Sequence, residues 1–289
     1  MHGKKIFLIF WASLALASDF SGTSALQFTA RAVAFGPRPP GSAAIQKLQA
    51  YLTSQLATCG CQVSEDSFTA KTPNGAVTMK NIIARFPGKS GRAIAFTGHY
   101  DTKIFPSFRF VGANDGGSST GFLLEMARVL AGKPRKDDVY LVWFDGEEAA
   151  REWTDTDSLY GSRHLAAKWN ADGTAKRLKA LINVDMIGDR NLEILKEGNS
   201  SADLTRIVWK VAADIGYGSH FPNRQIMIED DHAPFLSIGV PALDLIDFSY
   251  GPEQTWWHTE KDTLDKLSSE SFQIVGDVLL ETLRRLETY

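Results

Sequence analysis

Only two cysteines, Cys59 and Cys61, occur in 289 residues. That excludes a disulfide scaffold and any four-cysteine metal site. They flank Gly60, and a bridge from residue i to i+2 would close a very small, strained ring. They read as structural or incidental. An excess of one charge is also missing. The formal net charge is −3, so no global attraction draws the chain to nucleic acid. The densest basic cluster, Lys133 to Lys136, is followed at once by Asp137 and Asp138 and reads as a solvated loop. Long apolar runs are absent with one exception near the start. Ile6 to Ala17 is apolar apart from Ser13, and at about a dozen residues it falls short of the roughly 20 that a membrane-spanning helix needs. Lys4 and Lys5 precede it, and Ala15-Leu16-Ala17 fits a small-x-small cleavage site. Residues 1–17 are therefore expected to be an export signal, giving a secreted or periplasmic protein, with an uncleaved membrane anchor as the alternative. Internal repeats, low-complexity tracts and linkers are absent too, so residues 18–289 are expected to form one domain.

At 44% hydrophobic and 22% charged, that domain can bury a large core. Gly36-Pro37-Arg38-Pro39-Pro40-Gly41 breaks regular structure, and residues 19–42 are read as irregular. Ser42 can cap a helix to about Leu56, with Ile45, Leu48, Leu52 and Leu56 on one side. Strands are expected at 63–68, 81–86, 93–97, 139–144, 181–184, 225–228 and 241–246. Helices are expected from Ser118 or Ser119 to Leu130, around 162–169, over 204–215 and over 269–286. Strands alternating with helices predict an α/β fold, a three-layer αβα sandwich. Its central twisted sheet is mostly parallel or mixed, with helices on both faces.

The chain is organised around residues 139–148. Val139-Tyr140-Leu141-Val142-Trp143-Phe144 is an unbroken apolar run, as expected of a strand buried on both faces. Asp145-Gly146-Glu147-Glu148 follows, with three acids around a glycine that lets the backbone turn. Carboxylates are thereby set at the carboxyl end of a sheet strand, where open α/β sheets carry their sites. Other expected strand ends carry the same kind of residue: His99 and Asp101, Asp185, and His258 after the last strand. Asp115, beside Gly116-Gly117, can be a ligand or a plain helix cap. Asp, Glu and His together suit a hydrolase-type zinc site with an open position. Neighbouring residues on extended chain point opposite ways, so one of Glu147 and Glu148 can bind metal while the other faces substrate as a proton shuttle.

These residues resemble the zinc aminopeptidase superfamily, and more specifically the glutaminyl cyclases, from about residue 36 onward. The superfamily-level residues are His99-Tyr100-Asp101, Asp115, Glu147-Glu148, Asp185 and His258. The cyclase-like blocks are 98–103 followed by 110–115, 144–149, Trp153, 157–166, 229–235 and 257–259. The resemblance implies one zinc ion per chain, held by Asp115, Glu148 and His258, and Glu147 as the general acid/base. It also implies Asp185 and Asp230 in a carboxylate network, and Trp153 and Trp257 walling the pocket. The expected substrate is a peptide or protein with N-terminal glutamine, cyclised to pyroglutamate with release of ammonia. No nucleic acid and no obligate protein partner is implied. The rival is a two-metal aminopeptidase, using His99 and Asp185 for a second ion and Glu147 to activate water. Asp231 neighbours Asp230, and the motif register favours Asp230 for the site; Trp256 neighbours Trp257 and is expected to pack outside it. Arg163 and His164 are read as structural, and the Phe-rich loop 104–110 either borders the pocket or packs on the surface.

Overall fold

Two short strands with no polar residue turned to water on either face set the centre of the sheet. In the computed structural model, which describes residues 19–288, every residue of β3 (Ala93–His99) and β4 (Asp138–Phe144) is buried. Such strands need cover on both sides. They pair in parallel with each other, and β3 pairs in parallel with β5 (Leu178–Asp185), which pairs in parallel with β8 (Ala242–Ile246). On the other edge, β2 (Gly75–Phe86) runs antiparallel to β4 and forms a hairpin with β1 (Gln62–Thr72). The order is β1-β2-β4-β3-β5-β8, a six-stranded mixed sheet. Strands β6 (Lys196–Glu197) and β7 (Gln225–Ile226) form a small parallel pair beside it.

The period-2 alternation of strands divides the core into two layers. Ile82, Ile94, Leu141 and Ile182 face one side. They pack against α2 (Ala43–Leu56), α3 (Gly117–Leu130), α5 (Ala202–Asp214) and α7 (Ser269–Thr288). Ile83, Ala95, Val142 and Leu181 face the other, against Leu165 and Trp169 of α4 (Tyr160–Asp172) and Phe235 of α6 (Ala233–Ser237). The chain is thus the α/β sandwich expected, with a mixed sheet between helical layers.

One expectation is overturned. Residues 19–42 are not irregular throughout, because α1 spans Gly22–Val33. Ser21 caps it, its hydroxyl accepting from the Ser24 N–H at 3.2 Å. The buried face of α1 is made of small residues, Ala25, Thr29 and Ala32, so its apolar period is faint in the sequence. The helix-breaking Pro and Gly residues come only after Val33. Cys59 and Cys61 are free thiols. The expected export signal lies outside the described residues. Among those described, no helix is long and apolar enough to cross a membrane.

Candidate active site and metal centre

The carboxyl ends of β4, β3, β5 and β8 lie side by side, and each releases the chain into a loop that carries a polar group. β3 ends at His99 and β5 at Asp185. The residue after β5, Met186, has φ +48°, and His258 has φ +53°. Left-handed backbone at non-glycine residues is costly, of order 1–3 kcal/mol each, and collects at functional sites.

Asp115 does not act as the helix cap. Gly116 takes that position at φ +72°, where a Cβ would lie 2.5 Å from the Asp101 carbonyl and 3.0 Å from the His99 ring. The Asp115 carboxylate is left to bridge two histidines. Its Oδ2 is 3.2 Å from His258 Nε2, which is 3.1 Å from Glu148 Oε1. Its Oδ1 is 3.1 Å from His99 Nε2, which is 3.3 Å from Asp185 Oδ1. Both triples, Asp115–Glu148–His258 and His99–Asp115–Asp185, bring one donor atom per residue within 4.8 Å of one another.

These separations fit a metal. Zinc bonds of ~2.0–2.1 Å at tetrahedral angles set neighbouring donor atoms about 3.3 Å apart. The charge balance fits as well. Asp101, Asp115, Glu147, Glu148, Asp185 and Asp230 are all buried around the site. Cations nearby are few: Lys103 Nζ stands 3.5 Å from Glu148 Oε2, while the buried Arg38 spends its donors on the carbonyls of Gly36, Tyr100, Val111 and Gly112. Buried carboxylates without counter-charge must bind a cation or take up protons.

Protonation in the metal-free site follows that rule. Burial pushes Glu147 well above the usual carboxylate range, against the pull of His99 and with help from the charges of Glu148, Asp230 and Asp231. Burial, partly opposed by His99, raises Asp185 to about 7. Burial would lower His258, but its contacts with Asp115 and Glu148 win and carry it to about 10. Asp115 is likewise lifted by burial, yet its bonds to His258 and His99 hold it below the ordinary value.

The turn after β4 separates the two glutamates as their chain geometry requires. Their N–H groups donate to the two oxygens of Asp101, at 3.1 Å from Glu147 and 3.3 Å from Glu148. Glu148 then reaches His258, whereas Glu147 Oε2 lies 3.8 Å from His99 Nδ1. The eight residues to which the resemblance gives a site role (Asp115, Glu147, Glu148, Trp153, Asp185, Asp230, Trp257 and His258) line one cavity of about 600 Å³, and His99 lies buried beside it. Trp257 stacks on the His258 ring with centroids 4.1 Å apart, and Trp153 stands at the rim with its indole N–H donating to Glu229 at 3.0 Å. Asp231 is buried behind Asp230 and does not line the cavity. Trp256 packs on Tyr250 instead. Phe105 and Phe110 set their edges against His258, so the Phe-rich loop borders the site. Arg163 is spent on the backbone carbonyls of Asp155, Thr156 and Leu159, and His164 stacks on Phe68.

Two buried acids beside the site escaped the reading of the sequence. Asp262 accepts from the N–H groups of Asn114 and Asp115, at 2.8 and 3.2 Å, and from the Tyr250 hydroxyl at 2.7 Å. It fixes the backbone that presents Asp115. Asp244 sits in the apolar strand β8 and accepts from Asn183 at 3.1 Å. Burial, reinforced by the charges of Asp230 and Asp185, drives it well above the carboxylate range. An acid inside an apolar strand was the available signal.

Known proteins share this fold. Residues 81–283 match the family described as peptidase family M28. A glutaminyl-peptide cyclotransferase of Drosophila melanogaster is 32% identical over 252 residues, covering 78% of this chain and 70% of that protein. The crystal structure of a glutaminyl cyclase from an Acidobacteriales bacterium superposes with a TM-score of 0.90 at 42% identity, covering 94% of this chain and 96% of the other. The glutaminyl cyclase of Porphyromonas gingivalis superposes with a TM-score of 0.85 at 31% identity, covering 93% and 99%.

Proposed function

The chain belongs to peptidase family M28 and, within it, to the glutaminyl-peptide cyclotransferases, and from that premise we propose that it converts N-terminal glutamine of peptides or proteins to pyroglutamate. Asp115, Glu148 and His258 would hold one zinc ion, which would polarise the γ-carbonyl as a Lewis acid.

The substrate supplies its own nucleophile, so no enzyme Ser or Cys is required. The α-amine attacks the γ-carbonyl carbon, a C–N bond closes the five-membered lactam, and the C–NH₂ bond breaks. Glu147 takes the proton that the attacking amine gives up and returns it to the departing nitrogen, which leaves as ammonia. Burial raises the Glu147 carboxyl above the usual carboxylate range, which favours its holding the proton in transit. Asp185 and Asp230 belong to a carboxylate network near the reacting nitrogen. Trp153 and Trp257 hold the short side chain and exclude water. Holding amine and carbonyl in a near-attack geometry supplies much of the acceleration, up to ~7–11 kcal/mol in well-oriented intramolecular reactions.

The observation that carries this reading is the division of labour after β4, with Glu148 on a ligand triple and Glu147 outside that triple, in a cavity walled by tryptophan. A two-metal aminopeptidase is the second reading, favoured by the His99–Asp115–Asp185 triple. An N-terminal glutamine peptide assayed beside a leucine anilide distinguishes them. Ammonia release and a product lighter by one ammonia, with the anilide intact, support the cyclase; anilide cleavage overturns it. We further propose that 18–289 is the catalytic domain and that residues 1–17 direct it to export or anchor it to a membrane.

A further inference from the structure

A fully buried carboxylate–histidine pair lies outside the proposed chemistry. Glu197, on β6, is 2% exposed, and His232, at the start of α6, is wholly buried. His232 Nε2 lies 3.0 Å from Glu197 Oε2. The same carboxylate accepts from the N–H groups of Asn199 and Ser200, at 3.0 and 2.8 Å, and from the Ser200 hydroxyl at 2.9 Å. Its other oxygen receives the Ile228 N–H at 3.4 Å. Removing two such groups from water is costly, and apolar residues of the same volume often stabilise as well. A need for stability alone therefore does not account for the pair.

Its position in the chain does. Ile228 and His232 bracket Glu229-Asp230-Asp231, the segment that brings Asp230 to the cavity wall. Asp230 has little else to hold it. One carboxylate oxygen accepts only from the N–H of its neighbour Asp231, and the other has no hydrogen-bond partner among the described residues. The backbone bonds nearby are the two-residue strands β6 and β7 and the Ala233 N–H donating to the Asp230 carbonyl at 2.8 Å, which hold the main chain but not the Asp230 carboxylate. The Ser200 hydroxyl that donates to Glu197 also accepts from the Asp244 N–H at 3.0 Å. Glu197 thus ties the segment to strand β8 of the main sheet.

We propose that Glu197, acting through His232 and the Ile228 N–H, is the positioning residue that sets the Asp230 carboxylate against the reacting nitrogen. This rests on the proposed role of Asp230 in the cyclisation. Glu197→Gln keeps the size of the side chain but turns a donor toward groups that need an acceptor. It is expected to lower kcat about tenfold or more, since small misplacements near the reacting atoms are expensive. KM should stay within about twofold, because uniform binding is untouched, and metal content should be unchanged.

The decisive arm is a double-mutant cycle with Asp230→Asn. If Glu197 works through Asp230, adding Glu197→Gln to Asp230→Asn should cost less than about twofold more in kcat. Full multiplication of the two losses, or wild-type kcat for Glu197→Gln beside an impaired Asp230→Asn, overturns the positioning role. Wild-type kcat for Asp230→Asn itself instead overturns the reading of Asp230. A second pair keeps the test open if Glu197→Gln does not fold. His232→Gln retains an N–H donor within reach of Glu197 and should keep kcat within about threefold, whereas His232→Leu should lose about tenfold. Equal kcat in the two His232 variants contradicts the proposal.

Discussion

Single side chains carry the chemistry, and each makes a separable prediction. Glu147→Gln should lower kcat by about 10²–10⁴-fold, the usual contribution of a positioned proton-transfer group. Zinc content by elemental analysis should not change, because Glu147 stands apart from the Asp115–Glu148–His258 triple. Near-normal turnover would remove it from the proton path. His258→Ala should strip the metal, leaving Asp115 and Glu148 as two carboxylates without their imidazole. Equal zinc in mutant and wild type would exclude His258 as a ligand. Trp257→Ala should raise KM by roughly three- to tenfold, the equivalent of ~0.5–1.5 kcal/mol of aromatic contact, with zinc retained. Glu147 was legible in the sequence because the apolar strand β4 stops abruptly at a run of acids, whereas Trp257 and His258 sit in the loop after β8 and took their roles from the resemblance. Asp262 was not legible as a partner of Asp115, since 147 positions separate them. Nor was Glu197, whose link to His232 spans 35 positions. Such pairs exist only once the fold has closed.

At the scale of elements, the helix hidden in residues 19–42 shows where the sequence falls short. A helix that buries large residues advertises itself through their spacing, as α2 does with Ile45, Leu48, Leu52 and Leu56. Helix α1 instead approaches α3 so closely that small residues line the contact, and Gly121 is placed where a Cβ would lie 2.5 Å from the Ala25 carbonyl. Two effects compete in Gly121→Ala. Helix propensity favours alanine by about 1 kcal/mol, while overpacking typically costs about 1–3 kcal/mol. Because the close atoms include fixed backbone, overpacking should win, and denaturant unfolding should show a lower midpoint. A stabilised Gly121→Ala would mean that the two helices are free to move apart. The sandwich itself was readable from the continuous apolar strands β3 and β4, which need cover on both faces.

For the whole molecule, the concentration of buried acid at one end of the sheet sets the response to pH. Asp247, away from the ligand triples, reports it cleanly. Burial, against the Glu193 N–H and reinforced by Asp189, raises it to about 7. Its folded value lies above its unfolded one, so the folded protein holds a proton that the unfolded chain has lost. That contribution is fully present below about pH 4 and is lost as pH rises through about 7. At ~1.4 kcal/mol per unit the loss is at most about 4 kcal/mol. In metal-saturated protein, Asp247→Asn should flatten the fall in stability between about pH 4 and 8. An unchanged slope would show that other acids dominate. The clustering of Asp115, Glu148 and His258 from three distant stretches of chain likewise makes metal binding a property of the closed fold.

One metal per active site is the claim on which the cyclase account depends, because Asp115 bridges two candidate triples. Stripped protein should be titrated with zinc while ammonia release from an N-terminal glutamine peptide is followed. The account predicts that activity rises to a plateau at one equivalent of zinc per chain. A plateau reached only at two equivalents, with the second increment abolished in His99→Ala, would contradict it and place the chemistry on a two-metal site.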